Sequence, residues 1–244
     1  PIIDDQLGLR VTGYYRNEQG WIDNIGTGVK GSNSLEAFGG RAILLARPSD
    51  RMSVRLLASY ENSKPADSSL TNPALGDFVR RTDRPDLFQG KLTNFNVTVN
   101  YEFDFAELIS STTLSTFDQS FVVDLAGTFA QAFPFALDAY AYDDLFVQET
   151  RLVSRHPGPL QWVAGFFYFN KRRDVDYNYR SSPAYLASHN LTGLPDEYYQ
   201  RFNSYFNQSE IAGFGELTLH FTDDFWVTGG LRYGNSAVQG FTRG

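Results

Sequence analysis

The residues best suited to chemistry lie in residues 174–208, where Tyr177, Tyr179, Tyr185, Tyr198, Tyr199, Phe202, Tyr205 and Phe206 are interleaved with Arg180 and Arg201. Rigid aromatics with a few guanidinium groups bind by stacking, cation–π contact and anion pairing, without covalent chemistry. Tyr177, Tyr179, Tyr185 and Arg180 are the first candidates for holding an aromatic, glycosidic or anionic ligand. Tyr140, Tyr142 and the pair Arg80-Arg81 are a second rank on neighbouring loops. The other reading of Tyr198, Tyr199, Tyr205 and Phe206 is an aromatic girdle where strands leave a membrane. Other chemistries find little support. His156, His189 and His220 are scattered without ligand spacing, so neither a metal centre nor a Ser-His-Asp site is expected. Gly26-Thr27-Gly28 and Gly39-Gly40 do not link a strand to a helix, as a phosphate cradle would. Asp143-Asp144 and the Asp174/Asp176 pair read as solvated strand ends rather than calcium ligands. No cofactor and no catalytic residue is expected.

The elements that position these side chains are strands. The chain holds 21 Phe and 14 Tyr but one Met and no Cys, a composition that favours strands over helices and leaves no disulfide scaffold. Charged residues make up 20%, too few for a disordered chain. A net charge of −7 argues against a nucleic-acid partner. No apolar run approaches the roughly 20 residues of a membrane helix. A mean hydropathy of −0.33 is still compatible with a barrel, whose strands alternate. The chain opens PIIDDQLGLR, which has no leader-like pattern, so either a mature protein begins here or this is an internal piece.

Residues 211–233 show the pattern. Ile211, Leu217, Leu219 and Phe221 fall on one face of a strand, and Phe214, Glu216, Thr218 and His220 on the other. After a turn at Thr222-Asp223-Asp224, Val227, Leu231 and Tyr233 oppose Trp226, Thr228 and Arg232. Similar alternation runs through residues 9–16, 35–47, 52–62, 92–104, 107–119, 145–155 and 160–173. This gives about nine strands, with tight turns near Ser49, Phe105, Gly158 and Asp223. Long connections (residues 17–34, 63–90, 121–144 and 174–208) alternate with the tight turns. Short turns at one end and long loops at the other are the signature of an outer-membrane barrel. Arg41, Arg55, Glu102, Glu149, Arg151, Glu216 and Arg232 all fall on the polar faces. They must line a wet or plugged lumen, because a charge toward lipid costs about 2–4 kcal/mol at mid-depth.

The strand FVQETRLVS (146–154), the strand GFFYF (165–169) and the hairpin FGELTLHFTDDFWVTGGLRY (214–233) resemble the β-barrel of TonB-dependent receptors. The resemblance implies an all-β, antiparallel up-and-down transmembrane barrel of 22 strands, of which residues 1–244 are a partial, unclosed section of about nine. It further implies residence in the outer membrane of a Gram-negative bacterium, among lipid. The activity implied is active import of a scarce nutrient: siderophore-bound iron, cobalamin, a glycan or an aromatic compound. Coupling to the TonB complex would run through a plug that this chain does not contain. A passive porin-like channel and a soluble all-β carbohydrate-binding module are the alternatives.

Overall fold

A computed structural model describes residues 1–130, 135–155, 158–191 and 198–244. Its main feature is one nine-stranded antiparallel sheet in which every strand pairs with the next along the chain. The strands are β1 (Leu7–Glu18), β3 (Leu35–Ser49), β4 (Met52–Pro65), β6 (Phe88–Glu102), β7 (Ala106–Asp124), β8 (Ala136–Ser154), β9 (Leu160–Arg180), β10 (Tyr198–His220) and β11 (Trp226–Arg243). Two short strands, β2 (Asp23–Asn24) and β5 (Val79–Arg80), pair in parallel in the connections. Two short helices, α1 (Leu125–Phe129) and α2 (Pro183–Ser188), follow β7 and β9. No described helix is long and apolar enough to cross a membrane, which says nothing about strands.

The expected meander is present, with tight turns near Ser49, Phe105 and Asp223. Of the turn near Gly158, His156 and Pro157 lie outside the described residues, as do Phe133 and Pro134. The sheet is open, since β1 pairs only with β3 and β11 only with β10.

The register makes the two faces traceable across all nine strands. Leu9, Leu44, Leu56 and Val97 form one cross-strand row. Tyr168 and Ile211 extend the same face on β9 and β10. On the other face, Arg55 stands opposite Thr98, Thr98 opposite Ser111, and Ser111 opposite Glu149. Following the alternation outward from that row puts Arg41, Arg55, Glu102, Glu149, Arg151, Glu216 and Arg232 all on this polar face. A slip of one residue in any pairing would have thrown some of them onto the apolar side.

A cluster of polar residues interrupts the apolar face. Ser110, Thr112, Gln148 and Thr150 occupy the middle of β7 and β8 there, between Leu108 and Leu152 below and Leu114 and Phe146 above. They satisfy one another. The Gln148 amide donates to Ser110 Oγ at 3.1 Å and Thr150 Oγ1 at 2.9 Å, and Thr112 donates to the Gln148 carbonyl. Four polar side chains closed into a network can lie in an apolar surface at far lower cost than four open ones.

The expected long connections 121–144 and 174–208 are corrected. Most of each is strand, because β7 and β8 stay paired up to Asp124 and Ala136, and β9 and β10 up to Arg180 and Tyr198. Beyond the apolar belt both faces of a strand meet water. Alternation then ends while the backbone ladder continues, so the strand becomes invisible to a reading that depends on alternation.

Candidate functional site

The extended ends of β8, β9 and β10 place the aromatic candidates. Tyr177 and Tyr179 are on β9, not in a loop, and both project on the polar face. Phe202 of β10 pairs with Tyr177 and stacks on it at 4.9 Å and 29° between ring planes. It also stacks on Tyr179 at 6.0 Å and 22°. The three rings form a platform. Its neighbours on the β8 side are small, since Ala139 pairs with Tyr177, and Ala141 and Val175 are fully buried one step below. Two steps below lies Asp143, 6% exposed, which receives Arg173 Nη1 at 3.1 Å and Lys171 Nζ at 3.4 Å. Two cations around one carboxylate leave one positive charge beneath the platform. Such a surface can stack a planar ring and attract an anion.

The other candidates go elsewhere. Tyr140 and Tyr142 are on β8, on the apolar face beyond its rim, and are about half exposed. Their position is that of a girdle, away from the platform. Asp118 accepts a hydrogen bond from the Tyr140 phenol. Arg180 lies at the end of β9 and is held by Asp138, with Nε–Oδ2 at 2.6 Å and Nη2–Oδ1 at 3.0 Å. Tyr185 is on α2 and meets the edge of Phe135 at 5.9 Å, while Phe135 stacks on Tyr199 at 4.8 Å. The residues read two ways also divide. Tyr205 stacks with Phe241 at 5.4 Å on the apolar face, as a girdle residue would, whereas Phe206 pairs with Arg173 on the polar face. Arg201 covers the Tyr198 ring at 3.6 Å.

Arg80 departs most from expectation. It is 3% exposed and cannot offer its guanidinium to a ligand. Its Nη1 donates to Asp67 Oδ1 and its Nη2 to Asp86 Oδ2, both at 2.7 Å. Only Arg81 of the pair is exposed. Sequence reasoning missed the network that Arg80 centres. Asn24, fully buried, donates to Asp67 Oδ2 at 2.9 Å and Thr82 Oγ1 at 2.7 Å. Asp86 accepts from Thr128 Oγ1 at 2.6 Å and from the Asp124 backbone N–H at 2.7 Å. Asp124 caps α1 through the Gly127 N–H at 2.9 Å. These bonds tie the connection before β3, the one before β6 and the start of α1 into one unit. Gly26 belongs to the same unit: a Cβ there would stand 2.1 Å from the Thr82 carbonyl oxygen, so only glycine permits that approach. Partners 43 and 58 residues apart leave no local pattern; the dense charges around Arg80 were the one available signal.

Among the described residues no cluster of His, Cys, Asp or Glu could hold a metal ion. No family model matches the sequence, and no curated protein matches it. Solved structures do match. The ferric yersiniabactin uptake receptor FyuA from Yersinia pestis superposes on all of the chain with a TM-score of 0.79 at 17% identity. The ferric citrate transporter FecA covers 98% of the chain with a TM-score of 0.69 at 12% identity. FpvA from P. aeruginosa, solved bound to pyoverdines, covers 96% with a TM-score of 0.68 at 11% identity. The fold is that of the TonB-dependent receptor barrel. The chain spans only 39%, 34% and 34% of those receptors, which accounts for an open sheet of nine strands. In this barrel fold the apolar face is the outer one and the charged face lines the lumen.

Proposed function

We propose that the chain is a section of the wall of a TonB-dependent receptor in the outer membrane of a Gram-negative bacterium, a protein that captures and imports a scarce nutrient. One observation carries this reading. The same register that gathers seven charged residues on one face leaves a largely apolar belt on the other, in the receptor-barrel fold. The Tyr177–Phe202–Tyr179 platform, above the belt and on the lumen side, is the ligand-facing surface. Its stacked rings over the Arg173–Lys171–Asp143 group suit a planar, anionic ligand, and ferric siderophores with aromatic chelating groups are the substrate class that fits. Energy would come from the TonB complex through a plug carried elsewhere in the longer protein. No covalent step on the substrate is involved.

The test uses the full-length receptor in outer membranes. Replacing both Tyr177 and Phe202 with Ala should weaken binding of an aromatic ferric siderophore about tenfold or more, since each lost ring contact is worth about 0.5–1.5 kcal/mol. The heat-dependent gel shift of the folded barrel should be unchanged. Unchanged binding would remove the platform from the site. A full-length protein that stays monodisperse without detergent would overturn the barrel reading itself.

A further inference from the structure

The cross-strand row that carries the platform does not end at it. Followed back from Phe202 of β10, the register leads to Tyr177 of β9, Ala139 of β8, Phe121 of β7 and Phe88 of β6. All five positions are on the lumen face, and each of their strands is paired on both sides, away from the open edges. Ala139, 4% exposed, is the small member, so the aromatic strip has one low point, between Phe121 and Tyr177. Those two residues are two strands apart, about 10 Å. At the far end of the strip Phe88, Phe121 and Val123 wall a cavity of about 360 Å³, to which the connections and α1 add Leu70, Leu87 and Phe129. Leu70, Leu87 and Phe129 leave about half of their surface uncovered. Uncovered apolar surface gathered around a concavity is the mark of a ligand site. The volume is ample, since roughly 150 Å³ holds a benzene ring.

The charged atoms at this cavity are already engaged. Asp67 and Asp86, which also line it, hold Arg80 between them, and all four of their carboxylate oxygens accept hydrogen bonds within the lock. Two carboxylates to one guanidinium leave an excess of negative charge, which repels an anion, while engaged oxygens offer little to a cation. An uncharged apolar group is what the cavity suits. The platform is the opposite, with Arg173 and Lys171 around Asp143 beneath its rings. The two ends of the strip therefore sort the two ends of one molecule. We propose that the cavity is a second subsite, which takes an uncharged aromatic arm of the same ligand whose planar, anionic group stacks on Tyr177 and Phe202. The proposal rests on reading the platform as the ligand-facing surface. It adds that the ligand is elongated, with its apolar arm about 10 Å from its chelating group.

Two synthetic ferric chelates with the same phenolate chelating group test this, one bearing a phenyl ring about 10 Å from the iron and the other a hydrogen in its place. Binding of each, labelled with radioactive iron, is measured on full-length receptor in outer membranes. The wild type should hold the phenyl chelate about tenfold more tightly. The combined Leu70→Ala and Phe129→Ala variant, changed at two exposed positions, should cut that preference to less than about threefold while keeping the heat-dependent gel shift. If the pair loses the shift, Phe129→Ala alone is read in the same way, with a smaller but measurable cut expected. No preference in the wild type, an undiminished preference in the variants, or an equal loss for both chelates would overturn the proposal. Failure of the underlying reading is separate: neither chelate would then bind the wild type, or replacing Tyr177 and Phe202 with Ala would leave both unaffected, and the proposal would fall with it.

Discussion

The connections above β1 to β6 and the strand ends above β8 to β10 hold themselves together by different means. The first region is a polar lock, in which Arg80, Asp67, Asp86, Asn24 and Thr82 are buried and bonded across distant segments. The second continues the sheet itself, with ladders running on to Arg180 and Tyr198 and rings stacked on its lumen side. A lock fixes shape but hides its charged groups. A ladder uses only backbone for cohesion, so its side chains stay free to meet a ligand. This explains why two arginine-bearing regions that look alike in sequence have opposite uses.

The largest expected effect tests the lock. Arg80→Ala leaves Asp67 and Asp86 buried without a counter-charge and should cost about 3–5 kcal/mol of local stability. In hydrogen exchange on refolded receptor, residues 19–34, 66–87 and 125–129 should lose protection together while β8 to β10 keep theirs. Loss confined to residues 66–87 would show that the three segments are not one unit. Asn24→Ala should act on the same unit by about 1–3 kcal/mol, the cost of leaving Asp67 and Thr82 short of a donor. The same protection map checks it.

On the ladder side, smaller and purely steric effects are expected. Gly165 pairs with Phe214, whose ring lies over it, and a Cβ at 165 would stand 2.2 Å from Phe214 Cζ. Gly165→Ala should therefore cost about 1–3 kcal/mol in denaturant unfolding, and most of this should vanish in a Phe214→Ala background. The smallest effect concerns the polar network on the outer face. Replacing Ser110, Thr112, Gln148 and Thr150 together by Ala, Val, Leu and Val should change stability by less than about 1 kcal/mol, because both partners of each bond are removed. Gln148→Leu alone should cost more, by leaving hydroxyls unpaired in the apolar belt. If the fourfold variant folds poorly instead, the network faces something other than lipid.

How much was legible follows the same division. Within the belt, a strand with an apolar surround on one side and a wet one on the other, as in the proposed barrel wall, must alternate. The strands there, their tight turns and the facing of Arg41, Arg55, Glu102, Glu149, Arg151, Glu216 and Arg232 could therefore be read directly. Above the belt that constraint ends, so the strand ends carrying Tyr177, Tyr179 and Tyr140 looked like loop. The aromatic content of the platform was visible, but not that Tyr177 faces inward while Tyr140 and Tyr142 face outward. That depends on counting residues along a ladder whose extent the alternation does not mark.

By itself, then, the sequence determined the wall: an open, alternating meander with its charges gathered on one side, since period-two patterning needs nothing beyond neighbouring residues. Only the tertiary structure decided the partners. It buried Arg80 between two aspartates, set Phe202 against Tyr177 and Tyr179, and joined Arg232 to Glu210. The physical reason is range. Alternation is enforced residue by residue by the surrounding solvent, whereas an ion pair or a ring stack joins segments tens of residues apart and leaves no trace in either one alone.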